Sequence, residues 1–248
     1  MRATILFNAG RLIGLFILFL CLMPEMSAGE SGIEAARDAR DLASVAELSA
    51  IIGREKPAAK ANETFDADVR LAVLHLWLCE AAEVHKDNKA VKQAAQDGLT
   101  AAERAVALNQ QSSQAHQLVG ELLSRLIPHV FGGGMRYGKR AADEMDKAIQ
   151  LDPKNAEAYI SRAISYYYTP RAFGGSKDKA FEFLKKAVEL DRTADGPHIW
   201  MAMFYLEENR TKEASDEILL AHGINPKRAF TRTVADQISA ANSANSSR

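Results

Sequence analysis

Residues 195–226, DGPHIWMAMFYLEENRTKEASDEILLAHGINP, decide the fold of this chain. The stretch reads as two successive amphipathic helices and closes on Asn225-Pro226, where proline cannot continue the second helix. Small side chains recur between bulky ones at spacings that let two helices approach closely, with the bulky ones filling the gaps. These small residues are Ala202, Ala214 and Ala221.

The same pattern is repeated upstream. The closing hexapeptide Ala221–Pro226 has counterparts at Ala148–Pro153 (AIQLDP) and Ala187–Arg192 (AVELDR), and a weaker one at Ala105–Gln110 (AVALNQ). Each closes an amphipathic helix, and each is preceded by another helix that carries a small residue between larger ones. No such unit buries its apolar face alone, so the sequence predicts a stacked array of helix pairs.

The repeated residues resemble the tetratricopeptide repeat, a helical hairpin of about 34 residues. The last unit matches its pattern without a gap, and the two units before it match with extra residues between their helices. The matching residues are His198, Ala202, Tyr205, Ala214, Ile218, Ala221 and Pro226; Tyr159, Ala163, Tyr166, Ala180, Leu184 and Ala187; and His116, Gly120, Leu123, Ala141, Met145, Ala148 and Pro153. The resemblance covers roughly residues 66–226 and implies an all-α fold. That fold is a right-handed α-solenoid of antiparallel helix pairs with capping helices at both ends.

The chain divides into four predicted parts. Residues 1–28 have a basic start, an apolar run at Leu12–Met23 and a small-residue exit, which is the pattern of a secretory signal peptide cleaved after Ala28. An uncleaved N-terminal anchor is the alternative. Residues 29–64 are predicted to hold an N-terminal helix and a polar linker at 55–64. The repeat domain with a C-terminal capping helix spans residues 65–240, and residues 241–248 form a disordered tail.

The two cysteines support neither a disulfide framework nor catalysis. Cys21 lies in the leader, where the bulky residues before it disfavour bacterial lipid attachment. Cys79 lies in an apolar helix and is interpreted as a small buried hydrophobe.

Two insertions share one motif, Pro-x-x-Phe-Gly-Gly. They place Phe131, Gly132 and Gly133, and then Phe173, Gly174 and Gly175, between the two helices of consecutive repeats. The interpretation is an elongated turn in which proline stops the first helix and phenylalanine tucks back onto the helices. A ligand-contacting loop is the alternative. A similar insertion occurs in exported bacterial repeat proteins, including the T-component family associated with periplasmic TRAP transporters, to which the resemblance is partial.

The composition and motifs exclude several functions. With 31 Lys+Arg against 32 Asp+Glu, the chain has no basic footprint for nucleic acid. Its six histidines and two cysteines form no pattern of metal ligands, and no nucleophile motif is present, so we expect neither a cofactor, a metal site nor enzymatic activity. Membrane contact is expected only through an uncleaved N-terminus.

The resemblance also implies a binding surface, because the first helices of such repeats line a concave groove. The residues predicted to line it are Gln117, Glu121 and Arg125, then Ile160, Ile164, Tyr167 and Tyr168, then Ile199, Met203 and Leu206. An alternative is that a terminal helix covers this surface. We predict an exported, periplasmic or secreted scaffold that holds a protein partner, or else an accessory of an uptake system that holds a small apolar ligand.

Overall fold

The computed structural model of the protein describes residues 28–246, which fold into eleven α-helices. In chain order these are α1 Ala28–Asp41, α2 Val45–Asn62, α3 Phe65–Val84, α4 Asn88–Leu108, α5 Ser113–Leu126, α6 Gly133–Leu151, α7 Ala156–Tyr168, α8 Lys177–Leu190, α9 Gly196–Glu207, α10 Thr211–Ile224 and α11 Ala229–Ser246. Short 3₁₀ turns at Ile127–His129 and Arg171–Phe173 precede α6 and α8.

Polar residues at the helix starts explain where many of these helices begin. A side-chain oxygen just before the first turn accepts a hydrogen bond from a backbone N–H inside it, which satisfies a donor that has no partner within the helix. The residues that cap helices in this way are Ser44, Thr64, Asp87, Ser112, Asn155 and Ser176.

Successive helices pack as antiparallel pairs, and the pairs stack side by side as in a tetratricopeptide-repeat solenoid. The predicted all-α solenoid is therefore confirmed. The first members of the pairs, α3, α5, α7 and α9, contact one another in sequence on one side of the array, and α11 continues the series. The last of these inner helices, α11, also contacts the first, α3, so the inner helices form a closed cycle.

The repeat positions supply the core between the helices. Ala163, Ala202 and Ala214 have no solvent-exposed surface, and Ala141 has 1%. A Cβ atom on Gly120 would lie 2.7 Å from Cγ of Met145, which shows how closely α5 and α6 approach there. The small residues of the repeat pattern thus have the packing role that the sequence predicted.

The packing described here is that of the compact unit that begins at Ala36. Two boundaries differ from the sequence predictions. The stretch predicted as a linker at 55–64 is helical to Asn62, so Pro57 lies inside α2. The tail predicted from residue 241 continues α11 to Ser246, because extending an existing helix is easier than starting a new one. Residues 1–27, with the predicted leader and Cys21, lie outside the described residues.

None of the helices built from the described residues has the length and the apolar character needed to cross a membrane.

Candidate functional site

The structure places the predicted groove residues on the inner helices α5, α7 and α9. Several of them are buried in the present arrangement rather than open to a partner. Ile199 has no exposed surface and Ile160 has 5%, while Tyr167 and Gln117 are also buried. Ile199 shares its core with Val234 of α11, so the C-terminal helix covers this part of the inner face.

Four of the predicted apolar and aromatic residues remain accessible, and we call them the inner strip: Ile164, Tyr168, Met203 and Leu206. Tyr168 is 50% exposed, and the other three are half-buried at the edges of two core clusters. Ile164 and Tyr168 are one turn apart on α7, as Met203 and Leu206 are on α9, and these two helices contact each other. The structure therefore brings these residues together on neighbouring inner helices.

The polar members of the predicted groove lie on α5 and satisfy one another. Arg125 forms ion pairs with Glu83 of α3 and, at 3.5 Å, with Glu121. Gln117 Nε2 and Ser161 Oγ both donate hydrogen bonds to Glu121, at 2.6 and 2.8 Å. Burial alone would lower the pKa of Arg125, but the two carboxylates outweigh it and raise that pKa.

A second set of charges, which sequence reasoning missed, joins the two ends of the array. Arg228, at the start of α11, donates to both carboxylate oxygens of Glu80 in α3, at 2.9 and 2.6 Å. Its other terminal nitrogen donates to Asp195 at 2.6 Å. Nearby, Asn225 Nδ2 donates to Asp41 at 3.1 Å. We call Arg228, Glu80, Asp195, Asn225 and Asp41 the closure network, because they connect the last inner helix with the first helices.

The closure network is shielded from water. The side chains of Arg228, Glu80 and Asp195 are each about one-tenth exposed. Burial by itself would raise the pKa of Glu80 and lower that of Arg228, yet the pKa of Glu80 is lowered and that of Arg228 raised because each stabilises the charged form of the other. No short sequence motif could have shown this contact, since its partners are 148 positions apart.

Glu157 of α7 is exposed at the edge of the same group of charges. Partial desolvation of the Glu157 carboxylate, together with the nearby carboxylate of Glu121, raises the pKa of Glu157 to about 7. Arg228 and Arg40 act in the opposite direction.

The two Pro-x-x-Phe-Gly-Gly insertions have a common backbone design. The first glycine of each pair has a positive φ, +67° at Gly132 and +90° at Gly174, which favours glycine. The second glycine approaches a backbone carbonyl oxygen. A Cβ atom would lie 2.3 Å from that of Ile127 at Gly133, and 1.7 Å from that of Thr169 at Gly175. The glycines are therefore explained by the turn itself.

The phenylalanines of the insertions do not behave as predicted. Phe131 is fully exposed and Phe173 is 79% exposed, so the expectation that they tuck back onto the helices is wrong. Phe131 follows the first 3₁₀ turn and Phe173 ends the second, and a glycine with a positive φ comes directly after each. These tight turns hold both rings in solvent rather than against the helix pair.

We expect Gly175→Ala to lower the free energy of unfolding by about 1–3 kcal/mol, because the added methyl group collides with the Thr169 carbonyl. Gly138→Ala is the matched control, since this glycine is inside α6 and has open space around its Cα. The control substitution should stabilise the protein by about 0.5–1 kcal/mol. Urea unfolding followed by circular dichroism measures both, and equal effects would contradict the proposed role of Gly175.

Two surface cavities accompany these features. One of about 500 Å³ lies beside the second insertion and is lined by Tyr167, Tyr168, Thr169, Pro170, Arg171, Gly175, Ser176 and Lys177. The other, of about 300 Å³, is lined by residues of α2, α3 and α4, among them the buried His75, whose Nδ1 has no hydrogen-bond partner. Burial lowers the pKa of His75.

Other candidate chemical groups have structural roles. Cys79 is fully buried, as predicted, and burial raises the pKa of its thiol to about 12. His116 and His198 occupy equivalent repeat positions, and each contacts a glutamate of its own repeat, Glu144 at 2.6 Å and Glu217 at 2.7 Å. Within residues 28–246, no three His, Cys, Asp or Glu side chains are grouped so that they could hold a metal ion.

Comparison with known proteins supports the fold. No protein-family model matches the chain, and no curated protein matches it. Among solved structures, TTC0263, a thermophilic TPR protein of Thermus thermophilus, is similar with a TM-score of 0.60 at 20% sequence identity, over 85% of this chain and 98% of that one. The chain therefore has the fold of a tetratricopeptide-repeat protein.

Two other structures are similar at lower scores. YrrB, described as a TPR protein with an unusual peptide-binding site, gives a TM-score of 0.44 at 13% identity over 84% of this chain and 100% of that one. MamA from Desulfovibrio magneticus RS-1, from residue 41 to its end, gives 0.44 at 15% identity over 73% and 87%.

Proposed function

We propose that this protein is an exported, non-enzymatic scaffold of the bacterial cell envelope that binds an extended or helical segment of a protein partner. The observation that carries this proposal is the inner strip, which leaves apolar and aromatic side chains partly exposed on adjacent inner helices. An apolar patch that remains open to solvent in a folded protein is typical of a binding surface. The signal-peptide pattern of residues 1–28 supports the location.

The inner strip offers a partner both apolar contact and orientation. Tyr168 donates a hydrogen bond to Glu207 at 2.6 Å, so an aromatic ring and a carboxylate lie at one end of the strip. Burial of Ile164 and Met203 beneath a partner side chain would supply the hydrophobic part of the binding free energy. The ion pairs of Arg125 with Glu83 and Glu121 leave that guanidinium as part of the frame rather than as an orienting charge for the partner.

The second candidate is a small-ligand accessory of an uptake system. The closed cycle of inner helices favours it, because such an arrangement surrounds a central axis. Two inner-helix residues, Glu121 and Arg125, form an ion pair at 3.5 Å. The ligand of such a protein would therefore be polar, in contrast to the apolar ligand that the sequence suggested.

A double substitution tests the scaffold. Ile164→Glu with Met203→Glu should reduce recovery of the partner at least about tenfold, because it places two charges in the apolar contact. Leu219→Glu is the matched control, since Leu219 of α10 is 68% exposed and outside the strip. The tagged full chain is cross-linked in its own host, and co-purifying proteins are quantified by mass spectrometry. Equal recovery from both variants would overturn the proposal.

Native mass spectrometry of the same preparations distinguishes the candidates. A bound protein lost only from the strip variant supports the scaffold, whereas a discrete small adduct that persists in that variant supports the ligand-binding accessory. The mass of the recovered chain also tests export, because cleavage after Ala28 leaves residues 29–248 and an uncleaved chain overturns the predicted signal peptide.

A further inference from the structure

The two exposed phenylalanines are the part of the insertion motif that folding does not explain. The glycines of both copies are required by backbone geometry, whereas Phe131 and Phe173 contribute little to any core. Exposing large apolar rings to water carries an unfavourable free energy, and the same ring recurs at the same place in two consecutive repeats. The recurrence of the exposed ring at equivalent places indicates a role outside the fold.

Both rings lie at one edge of the array. The inner helices α5 and α7 contact each other, and because each is antiparallel to the α6 that separates them, they run in the same direction. The insertions follow the C-terminal ends of these two helices and so emerge side by side. Met135, which directly follows the first Gly-rich segment, is 89% exposed and adds a third apolar side chain at this edge.

Basic residues surround the apolar side chains. Between residues 127 and 140 the chain has Arg136, Lys139 and Arg140 and no acidic residue. Lys139 and Arg140 form ion pairs with carboxylates elsewhere, whereas Arg136 lies over the ring of Tyr137. In the second insertion, Arg171 is exposed and no carboxylate of the described residues pairs with it.

The cavity beside Phe173 has the lining that an anionic headgroup requires. It presents the cations of Arg171 and Lys177 and the hydroxyl groups of Thr169 and Ser176. Lys177 already contacts Glu208 at 3.1 Å, which leaves Arg171 as the cation available to a ligand. The cavity has a volume of about 500 Å³, which admits a phosphate group with part of the attached glycerol.

We propose that this edge binds the surface of an anionic phospholipid bilayer, with Phe131, Met135 and Phe173 entering the interface and Arg171 contacting a headgroup phosphate. Apolar side chains flanked by cations match the layered chemistry of such a surface. Both rings are almost wholly exposed and neither lines either cavity, so they suit a deformable lipid layer, while the cavity next to Phe173 is left for a headgroup. The contact adjoins the inner strip, because Tyr168 belongs to the strip and also lines this cavity, so a partner held in the strip would be presented at the membrane.

Tryptophan fluorescence on the full chain tests the proposal. Phe173→Trp is compared with Leu219→Trp, a matched control on α10, using vesicles of phosphatidylcholine with or without phosphatidylglycerol and with brominated acyl chains. We expect bromine quenching of the Phe173→Trp signal on anionic vesicles, weaker quenching on neutral ones, and none above the wild-type background for Leu219→Trp. Phe131→Ala with Phe173→Ala should weaken vesicle binding at least about tenfold, with an unchanged circular dichroism spectrum.

Three results would overturn the proposal. If the protein co-sediments with vesicles while Phe173→Trp is not quenched, the apolar N-terminal run alone holds the chain on the membrane. Equal quenching on neutral and anionic vesicles would remove the role of Arg171. A spectral shift produced by the host's protein fraction, and not by vesicles, would identify a protein as the occupant instead.

Discussion

Arg228→Met is expected to lower the free energy of unfolding by about 3–5 kcal/mol, because it leaves Glu80 and Asp195 buried without their counter-charge. Removing the partner of a buried, hydrogen-bonded charge destabilises a protein far more than removing one partner of a surface ion pair, where water already screens the interaction. Urea unfolding followed by far-ultraviolet circular dichroism at neutral pH measures the change.

The control is Lys212→Met, which breaks an exposed ion pair with Asp216 on α10 and should change stability by less than about 1 kcal/mol. Adding Glu80→Met and Asp195→Asn to Arg228→Met should recover much of the loss, since no buried charge then lacks a partner. A loss no larger than that of Lys212→Met would show that the closure network does not stabilise the fold.

The effect of Arg228→Met also depends on pH with a definite sign. The pKa of Glu80 is lowered in the folded wild type, so its stabilising contribution is complete above the usual glutamate pKa and is lost as the pH falls through the lowered value. In the variant, Glu80 can be protonated at low cost on acidification. The difference between the two proteins should therefore narrow as the pH falls from neutral and be smallest below about pH 4.

Phe204→Ala is expected to be comparably destabilising, by about 3–5 kcal/mol. The ring of Phe204 is fully buried and stacks on that of Tyr167, with ring centroids 3.8 Å apart. Phe181 and Trp200 surround it, at centroid distances of 5.8 and 6.1 Å. The substitution would leave a cavity between α7, α8 and α9, and near-ultraviolet circular dichroism should show loss of the ordered aromatic signal together with reduced stability to urea.

Phe131→Ala is the matched control for this prediction, because it removes the same ring from a fully exposed position. Its effect on stability should stay within about 0.5 kcal/mol. If both substitutions changed stability equally, Phe131 would have a packing role that its exposure does not indicate.

The solenoid could be predicted because its signal is local and repeated. Each small residue of the pattern indicates, within its own unit, that two helices approach closely. Ala163 and Ala202, for example, are both fully buried. The repeat domain was predicted to begin at residue 65, and α3 begins there because Thr64 caps its start. Helix ends were less predictable at 55–64, where a proline and polar residues suggested a linker but α2 continues.

The site was less predictable because it depends on how distant parts of the chain meet. Repeat positions placed Ile164 and Ile199 alike on inner helices, but only contact with α11 decides that Ile199 is covered and Ile164 is partly accessible. The expectation for Phe131 failed for another reason. Apolar residues are buried on average, and that average cannot identify the one that a glycine turn holds in solvent.

The return of α11 to α3 also sets the number of repeats that this architecture can hold. An open solenoid lengthens by duplicating a helix pair, since each added pair contacts only its neighbours. Here, an additional pair between α8 and α9 would separate Arg228 from Glu80 and leave both charges buried without a partner or force the array open. Duplication of a helix pair, by which an open solenoid lengthens, is thus destabilising here because it breaks the contact that joins the ends.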